Sequence, residues 1–260
     1  MSRVMWLNDG FVDPATARFG IDDPGARFGD GLRETIRAED GGTPWLDRHL
    51  ARLARSADDL AFRGIPSLAV VERAVREVAD RCGGGVWRIS VQASPYPTLL
   101  VDAVAVEPAP STPITAVTCR GLWAPGNRMA EHKTIAYAAP RLALRHASEQ
   151  GAGTALLLDA GDDMGEAATA NVFCVIGDAI VTQPVHGLLP GTTRAAVLEL
   201  ADASLSALPR RLWRHCDEIF LTSAVQHVVG VGEIDGVPVG DGSVGPVTRR
   251  IQDAVRAAFA

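Results

Sequence analysis

A single lysine, Lys133, is the clearest candidate for nucleophilic chemistry in this sequence. Lysine and arginine together number 25, and only one of them is a lysine. A bias toward arginine can supply every surface cation, but a guanidinium stays protonated and cannot condense with an aldehyde. A lysine amine can do so once burial or neighbouring charges lower its pKa. Lys133 is therefore a candidate for a covalent bond to a carbonyl group, and the alternative is a solvated surface residue.

Two further side chains suit an aldehyde cofactor that contains a pyridine ring, such as pyridoxal 5′-phosphate (PLP). Tyr137, one of two tyrosines, follows Lys133 by four residues. If that segment is helical, both side chains share a face and the phenol can hydrogen-bond a ring oxygen. Glu166 lies in GEAATANVF, just before a predicted strand, where a carboxylate can keep a pyridine nitrogen protonated. The structural alternatives are a half-buried aromatic and a surface turn residue.

A phosphate site is predicted at the start of a helix near residue 192. The stretch 187–194 reads GLLPGTTR, so Thr192 and Thr193 offer hydroxyls and backbone N–H groups at the positive end of a helix dipole. An ordinary loop with a helix cap is the alternative. Arg52, in HLARL on an amphipathic helix, can reach a phosphate with two N–H groups from the margin of the apolar stripe.

Composition narrows the class of protein. The chain of 260 residues is 47% apolar with a net charge of −6, and it has neither a basic cluster nor an apolar run of about 20 residues. We therefore expect a soluble, cytoplasmic protein that binds neither nucleic acid nor membrane. The four cysteines form no C-x-x-C pair, so we expect reduced thiols and no metal site.

Hydrophobic periodicity and turn residues predict an α+β chain of two α/β domains. The predicted small N-terminal domain spans 1–108, a Pro-rich linker spans 109–113, and a larger C-terminal domain spans 114–260 and carries Lys133. Helices are predicted at 46–61, 67–81, 133–149 with an interruption near Pro140, 192–208 and 247–259. Strands are predicted at 4–7, 11–12, 32–37, 86–92, 99–106, 114–120, 154–158, 171–176, 179–182 and 218–222.

Taken in chain order, these motifs resemble the fold-type IV PLP enzymes. That family contains D-amino-acid transaminases, branched-chain aminotransferases, (R)-amine transaminases and 4-amino-4-deoxychorismate lyases. The resemblance covers nearly the whole chain and is carried by FGDGLRET (28–35), HLARL (49–53), HKTIAY (132–137), GEAATANVF (165–173), LLPGTTR (188–194) and IFLTSA (219–224).

The resemblance implies roles for these residues. Lys133 would hold PLP as a Schiff base and move a proton between the substrate Cα and the cofactor C4′. Glu166 would contact the pyridine nitrogen, and Tyr137 the ring oxygen. The phosphate would be bound by Arg52, Thr192, Thr193 and Ser223. Ala224 stands where many relatives carry a phosphate-binding threonine. The resemblance also implies a homodimer with the active site between the two domains.

Substrate selection is where the sequence departs from its relatives. D-amino-acid transaminases commonly have Tyr at the position of Arg33 and an Arg-Gly pair near Ala93. Branched-chain enzymes usually carry an aromatic residue at the position of Arg33. Lyases often have Phe-Thr-Thr at positions 33–35. Arg33 and Arg88 lie on polar strand faces and can bind carboxylates. We therefore expect a transaminase that acts on a D-amino acid of the D-Ala or D-Glu type and a 2-oxo acid, with (R)-amines also possible.

Three alternatives remain open from the sequence. A 4-amino-4-deoxychorismate lyase would use the same lysine and eliminate pyruvate, and its substrate also carries two carboxylates. A branched-chain L-amino-acid aminotransferase shares the scaffold. A catalytically silent PLP-binding protein is disfavoured by the intact set of Lys133, Tyr137 and Glu166. For Arg33 and Arg88 the structural alternative is ion pairing within the fold.

Overall fold

The computed structural model describes residues 3–96 and 98–259, which form two compact units. Unit 1 contains the chain up to Pro108 together with His132–Tyr137. Unit 2 contains Ala109–Glu131 and the chain from Ala138 onward. Lys133 thus groups with unit 1, because its segment pairs with a strand of that unit. From the sequence it was expected in the C-terminal domain. The domain boundaries given above stay a prediction.

Unit 1 is an antiparallel sheet with two long helices. The strands lie in the order β2-β1-β5-β4-β3, so β3 is an edge strand. The elements are β1 Arg3–Leu7, β2 Gly10–Phe11, α1 Pro24–Phe28, β3 Leu32–Glu39, α2 Leu46–Asp59, α3 Leu68–Cys82, β4 Val86–Ala93 and β5 Leu99–Ala105.

The core of unit 1 follows from strand alternation. On β4 the predicted apolar face, Trp87, Ile89 and Val91, is buried in the same cluster as apolar residues of α2 and α3. The opposite face of β4 carries the polar side chains. Ser67 precedes α3 as predicted, although its side chain makes no capping hydrogen bond.

Unit 2 is a mixed sheet with three helices. The strand order is β11-β10-β9-β12-β13-β6-β7-β8, with β14 paired to β13. The elements are β6 Ile114–Arg120, α4 Ala138–Glu149, β7 Thr154–Leu158, β8 Met164–Ala167, β9 Asn171–Ile176, β10 Ala179–Thr182, α5 Thr192–Leu200, β11 Ala203–Leu205, β12 Glu218–Ser223, β13 His227–Ile234, β14 Val237–Pro238 and α6 Pro246–Phe259. Short 3₁₀ helices span Arg128–Glu131 and Arg210–His215.

The closing helix α6 is fixed at its start by a buried carboxylate. Glu218 accepts hydrogen bonds from the backbone N–H groups of Val247 (2.9 Å) and Thr248 (2.7 Å). A negative charge at this end of a helix satisfies N–H groups that have no partner within the helix. The predicted stripe of α6 is buried as expected: Val247, Ile251, Val255 and Phe259.

Two predicted helices differ from those in the structure. Residues 133–137 are not helical, and α4 begins at Ala138, which places Pro140 in a first turn, where proline is tolerated. The helix predicted over 192–208 ends at Leu200, because Ala201 adopts an extended conformation and 203–205 pair with β10 as β11. The short strand β8, which contains Glu166, was missed.

None of the helices within residues 3–96 and 98–259 combines the length and hydropathy that a membrane span requires.

Candidate active site

Lys133 lies in an extended segment that runs along the edge of the sheet in unit 1. The N–H of Arg33 donates to the Lys133 carbonyl oxygen (2.8 Å), and the N–H of Ile135 donates to the Gly31 carbonyl oxygen (3.0 Å). Thr134 forms an antiparallel bridge with Leu32 between these bonds. The backbone of Lys133 is thereby fixed to β3, while its side chain is half-buried.

Two glycines just before β3, Gly29 and Gly31, make room for the lysine segment and for β4. A Cβ at Gly31 would lie 2.6 Å from the Ala93 carbonyl oxygen and 2.9 Å from Cδ1 of Ile135. Real Cβ atoms do not approach so closely, so any larger residue at position 31 would displace β4 at Ala93, whereas the end of the Ile135 side chain can move. A Cβ at Gly29 would lie 3.0 Å from Cβ and 3.1 Å from Cα of Ala136, which belongs to the lysine segment. The FGDG part of the FGDGLRET motif therefore has a steric role in positioning Lys133.

Tyr137 lies near Lys133, but not for the reason that the sequence suggested. The segment between them is extended rather than helical, and the Lys133 Nζ is 5.8 Å from the centroid of the Tyr137 ring. A second cation, Arg33, has its Cζ 4.1 Å from the same centroid. The Tyr137 ring thus lies beside both Arg33 and Lys133, where β3 meets the lysine segment.

Arg33 and Arg88 share one face of the sheet in unit 1. Arg33 pairs with Gln92 across β3 and β4, and Gln92 and Arg88 are four residues apart on the same face of β4. The Arg33 Nε is buried and has no hydrogen-bond partner among the described residues. Burial lowers the pKa of Arg33, and the like charge of Arg88 acts in the same direction. Within the described ranges neither arginine forms an ion pair, so the structural alternative of ion pairing is not found there.

Arg52 lies in a buried polar cluster with Glu34 and His49. Arg52 is 5% exposed and donates to the Glu34 carboxylate through Nε (2.8 Å) and Nη2 (2.5 Å). His49 Nδ1 lies 2.7 Å from the same carboxylate. Arg52 is therefore inside the core rather than at the margin of the apolar stripe, and Glu34 occupies one edge of its guanidinium. Its predicted role with a phosphate stays a prediction.

The protonation states of this cluster follow from burial and charge. Burial opposes ionisation of Glu34, but the Arg52 charge and the hydrogen bonds from Arg52 and His49 lower its pKa to about 2. Burial lowers the pKa of His49, so its ring is neutral near pH 7. Because a carboxylate can only accept, the proton of the neutral ring is on Nδ1. His132, next to Lys133, has its Nδ1 3.1 Å from Oγ of Ser56, which lies one helical turn beyond Arg52 on α2.

Glu166 lies in unit 2, within β8, and its carboxylate is half-buried. Asn171, at the start of β9, has its Nδ2 3.5 Å from Glu166 Oε2 and donates to the Leu189 carbonyl oxygen at 2.9 Å. A Cβ at Gly191 would collide with Asn171 Oδ1. Asn171 therefore connects the strand of Glu166 to the loop that leads into α5.

The start of α5 has the features of an anion site. Thr192 and Thr193 are buried in the first turn, and Gly191 at the N-cap has no side chain to satisfy the first N–H groups. Thr193 Oγ1 donates to the Ser223 carbonyl oxygen (2.9 Å), which brings the end of β12 to this helix. Next to Ser223, the buried Thr222 Oγ1 has no hydrogen-bond partner among the described residues. A phosphate fits the Thr192 hydroxyl and the backbone N–H groups of this first turn, whereas the Thr193 hydroxyl proton is already donated to Ser223.

Comparison with known proteins decides the family. Residues 31–234 match the model of the amino-transferase class IV family. The chain belongs to the class IV aminotransferase family. It is 29% identical to a D-alanine aminotransferase of Staphylococcus haemolyticus, over 97% of this chain and 96% of the relative.

Two solved structures give the same family and fold. The PLP-bound form of a hypothetical aminotransferase from Mycobacterium tuberculosis is 25% identical, with a TM-score of 0.88 over 100% of this chain and 99% of the other. A branched-chain amino acid aminotransferase from T.th., solved with pyridoxamine 5′-phosphate, is 27% identical, with a TM-score of 0.87 over 98% and 93%. The predictions of a fold-type IV protein and of a PLP-dependent class IV aminotransferase are confirmed.

Four buried polar residues of this class IV aminotransferase lie near the candidate site residues and were not predicted from the sequence. Glu34, His49, Asn171 and Arg194 are each at most 5% exposed. All four lie within the quoted motifs, and Glu34 and Arg194 directly follow residues that had been singled out, Arg33 and Thr193. The motifs give no indication that these polar side chains are buried.

Proposed function

We propose that this enzyme transfers an amino group between a D-amino acid of the D-Ala or D-Glu type and a 2-oxo acid. The observation that supports this best is the pair Arg33 and Arg88. They lie on one face of the sheet, and neither has a carboxylate partner among the described residues. The backbone N–H of Arg33 is also hydrogen-bonded to the Lys133 carbonyl oxygen. Guanidinium groups bind carboxylates through paired hydrogen bonds. A substrate carboxylate would supply the negative charge that pairs with these arginines.

The residues that would hold PLP supply each kind of contact that the cofactor needs. Lys133 would form the covalent bond, Tyr137 would hydrogen-bond the ring oxygen, and Glu166 would keep the pyridine nitrogen protonated. The phosphate would be bound by Thr192, Thr193, Ser223 and Arg52. When bound, the protonated pyridine ring withdraws electrons from the substrate Cα, which makes the hydrogen there acidic.

The chemical work of the chain itself is proton transfer and orientation. The Lys133 amine, the only side-chain amine in the sequence, would move the proton from the substrate Cα to the cofactor C4′. Because the Lys133 backbone is fixed to β3, the amine returns to one position in each cycle. The Tyr137 ring, stacked on Arg33, would hold the carboxylate-binding guanidinium in place.

The two arginines differ in a way that suggests different roles. Arg33 is half-buried and adjoins the lysine segment, whereas Arg88 is exposed. We assign Arg33 to the α-carboxylate and Arg88 to a side-chain carboxylate. Dicarboxylic donors such as D-Glu would then be preferred over D-Ala. We also propose a homodimer, as the family resemblance implies.

A branched-chain aminotransferase is the second candidate, because the solved T.th. enzyme of that type matches over 98% of this chain. It predicts L-Leu as the donor, which has one carboxylate and an apolar side chain. The apolar side chain of L-Leu offers no partner to the charged Arg88, so the pair of arginines favours the D-amino-acid proposal.

The test is spectroscopic and uses the PLP-loaded enzyme. D-Glu, D-Ala, L-Leu, an (R)-amine and 4-amino-4-deoxychorismate are added separately, and the absorption band of the lysine-bound cofactor is followed. Conversion to the pyridoxamine form by D-Glu and D-Ala, reversed by 2-oxoglutarate, supports the proposal. Conversion by L-Leu alone would replace it with the branched-chain function. Release of pyruvate from 4-amino-4-deoxychorismate, with no conversion by amino acids, would indicate a lyase.

A further inference from the structure

Arg194 is a buried arginine in the first turn of α5, directly after Thr193. It is 5% exposed. Its Nη2 donates to the Gln183 carbonyl oxygen (2.9 Å), and its Nε is buried with no hydrogen-bond partner among the described residues. Burial lowers its pKa, and no carboxylate opposes that effect. Arg194 is thus a cation that the described part of the chain leaves without a counter-ion.

Three energetic penalties coincide at this residue. A charge removed from water is unfavourable unless it is paired. A buried N–H without an acceptor loses a hydrogen bond that it would make in water. A positive charge at a helix N-terminus is repelled by the helix dipole. A methionine or leucine of similar volume would avoid all three penalties.

We propose that Arg194 is the buried counter-charge for a phosphate dianion at the start of α5. This inference rests on the proposed function, which assigns the cofactor phosphate to Thr192 and Thr193. A dianion at that position would neutralise Arg194 and would also interact favourably with the helix dipole. Arg194 need not touch the phosphate, because two charges attract strongly across a water-poor interior. Its charge would also favour binding of PLP over binding of pyridoxal, which lacks the phosphate.

A purely structural role makes the opposite prediction for the cofactor-free protein. If Arg194 served only to bind the Gln183 carbonyl, its removal would destabilise the protein with and without cofactor. If it is a counter-charge, Arg194→Met relieves an unpaired buried cation, so the cofactor-free protein keeps its melting temperature. The stabilisation that PLP or inorganic phosphate adds would then be smaller.

The experiment compares Arg194→Met and Arg194→Lys with wild type as full chains freed of cofactor by a carbonyl-trapping amine. The control is Arg249→Met, which removes an exposed arginine that also donates to a carbonyl, that of Val244, near the start of α6. Affinities for PLP and for pyridoxal, which lacks the phosphate, are measured by absorbance. Melting temperatures are measured with and without inorganic phosphate.

We expect Arg194→Met to weaken PLP binding by about tenfold or more and pyridoxal binding by less than about twofold. Arg194→Lys keeps the charge and should keep most of the preference for PLP. Equal losses for PLP and pyridoxal, or a lower melting temperature of cofactor-free Arg194→Met, would overturn the role of Arg194 alone. If wild type itself binds pyridoxal as tightly as PLP, the phosphate site in the proposed function is wrong, and the role of Arg194 is wrong with it.

Discussion

The backbone N–H of Arg33 donates a hydrogen bond of 2.8 Å to the carbonyl oxygen of Lys133. A residue proposed to bind substrate and the residue proposed to carry the cofactor are thereby held in register on adjacent extended segments. Displacement of β3 would move both together. The arrangement explains why the motif around Arg33 begins with glycines that let the lysine segment approach.

Arg33→Gln should raise the KM for both D-Glu and D-Ala. Loss of one charge-assisted pairing with the α-carboxylate corresponds to an increase of about 10- to 100-fold. The kcat should change by less than about threefold, because the Lys133 backbone remains bound to residue 33. Steady-state kinetics with both donors provides the measurement, and Arg76→Gln, which removes an exposed arginine of α3, is the control. An unchanged KM for both donors would show that Arg33 does not bind the carboxylate.

Arg88→Gln should discriminate between the two donors. The KM for D-Glu is expected to rise by about tenfold, because Arg88 is assigned to the side-chain carboxylate. The KM for D-Ala, which has no such carboxylate, should stay within about twofold of wild type. Equal effects on both donors would contradict this assignment and would place Arg88 at the α-carboxylate or outside the site.

Glu34→Gln should destabilise the protein in a pH-dependent way. Breaking a buried ion pair by removing one partner costs about 3 kcal/mol, because Arg52 would remain charged in the core. The pKa of Glu34 falls from 4.5 to about 2 on folding, so its stabilisation is present above pH 4.5 and is lost as the pH falls toward 2. The difference in unfolding free energy between wild type and Glu34→Gln should therefore shrink over that interval.

Denaturant unfolding between pH 2 and pH 7 measures this difference. Glu39→Gln removes a carboxylate at the exposed end of the same strand and serves as the control. A difference between wild type and Glu34→Gln that stays constant down to pH 2 would mean that the Glu34 carboxylate is not held ionised by Arg52.

Asn171→Ala should slow amino transfer through its effect on Glu166. The variant removes the amide that connects Glu166 to the Leu189 carbonyl. A displaced carboxylate would stabilise the protonated pyridine nitrogen less. We expect a loss of about tenfold in the rate of the half-reaction. In combination with Glu166→Gln, the Asn171 substitution should cost little more, because both act on one interaction. Fully additive losses would show that Asn171 acts independently of Glu166. The control variant is Asn127→Ala, at an exposed turn.

Most elements of the fold could be predicted from the sequence because their signals are local. Strand β4 alternates cleanly, and α6 shows an apolar stripe, and both occur where the pattern indicates. The helix predicted over 192–208 was too long because pairing of 203–205 with β10 is a tertiary contact that periodicity does not record. The predicted helix at 133–137 was wrong for the same reason, since pairing with β3 keeps this segment extended.

The sequence allows candidate site residues to be proposed by type, but it does not reveal their partners. Lys133 stands out as the candidate for the cofactor lysine because the sequence has no other lysine. Arg52 was expected to be available at a helix margin, yet it donates to Glu34 within the core. Such pairing depends on side chains 18 residues apart, and spacing along one helix cannot reveal it. The identity of the donor rests on Arg33 and Arg88, where the sequence departs from its better-known relatives.

The covalent role of Lys133 is tested most directly by reducing the PLP-loaded enzyme with borohydride and locating the cofactor by peptide mass spectrometry. Reduction converts the bond between amine and cofactor into a stable secondary amine. The account predicts one phosphopyridoxyl group, on Lys133, with loss of amino-transfer activity, and neither the label nor the visible absorption band in Lys133→Ala. A label elsewhere, or a Lys133→Ala variant that retains the band and amino transfer, would contradict the assignment on which the whole mechanism depends.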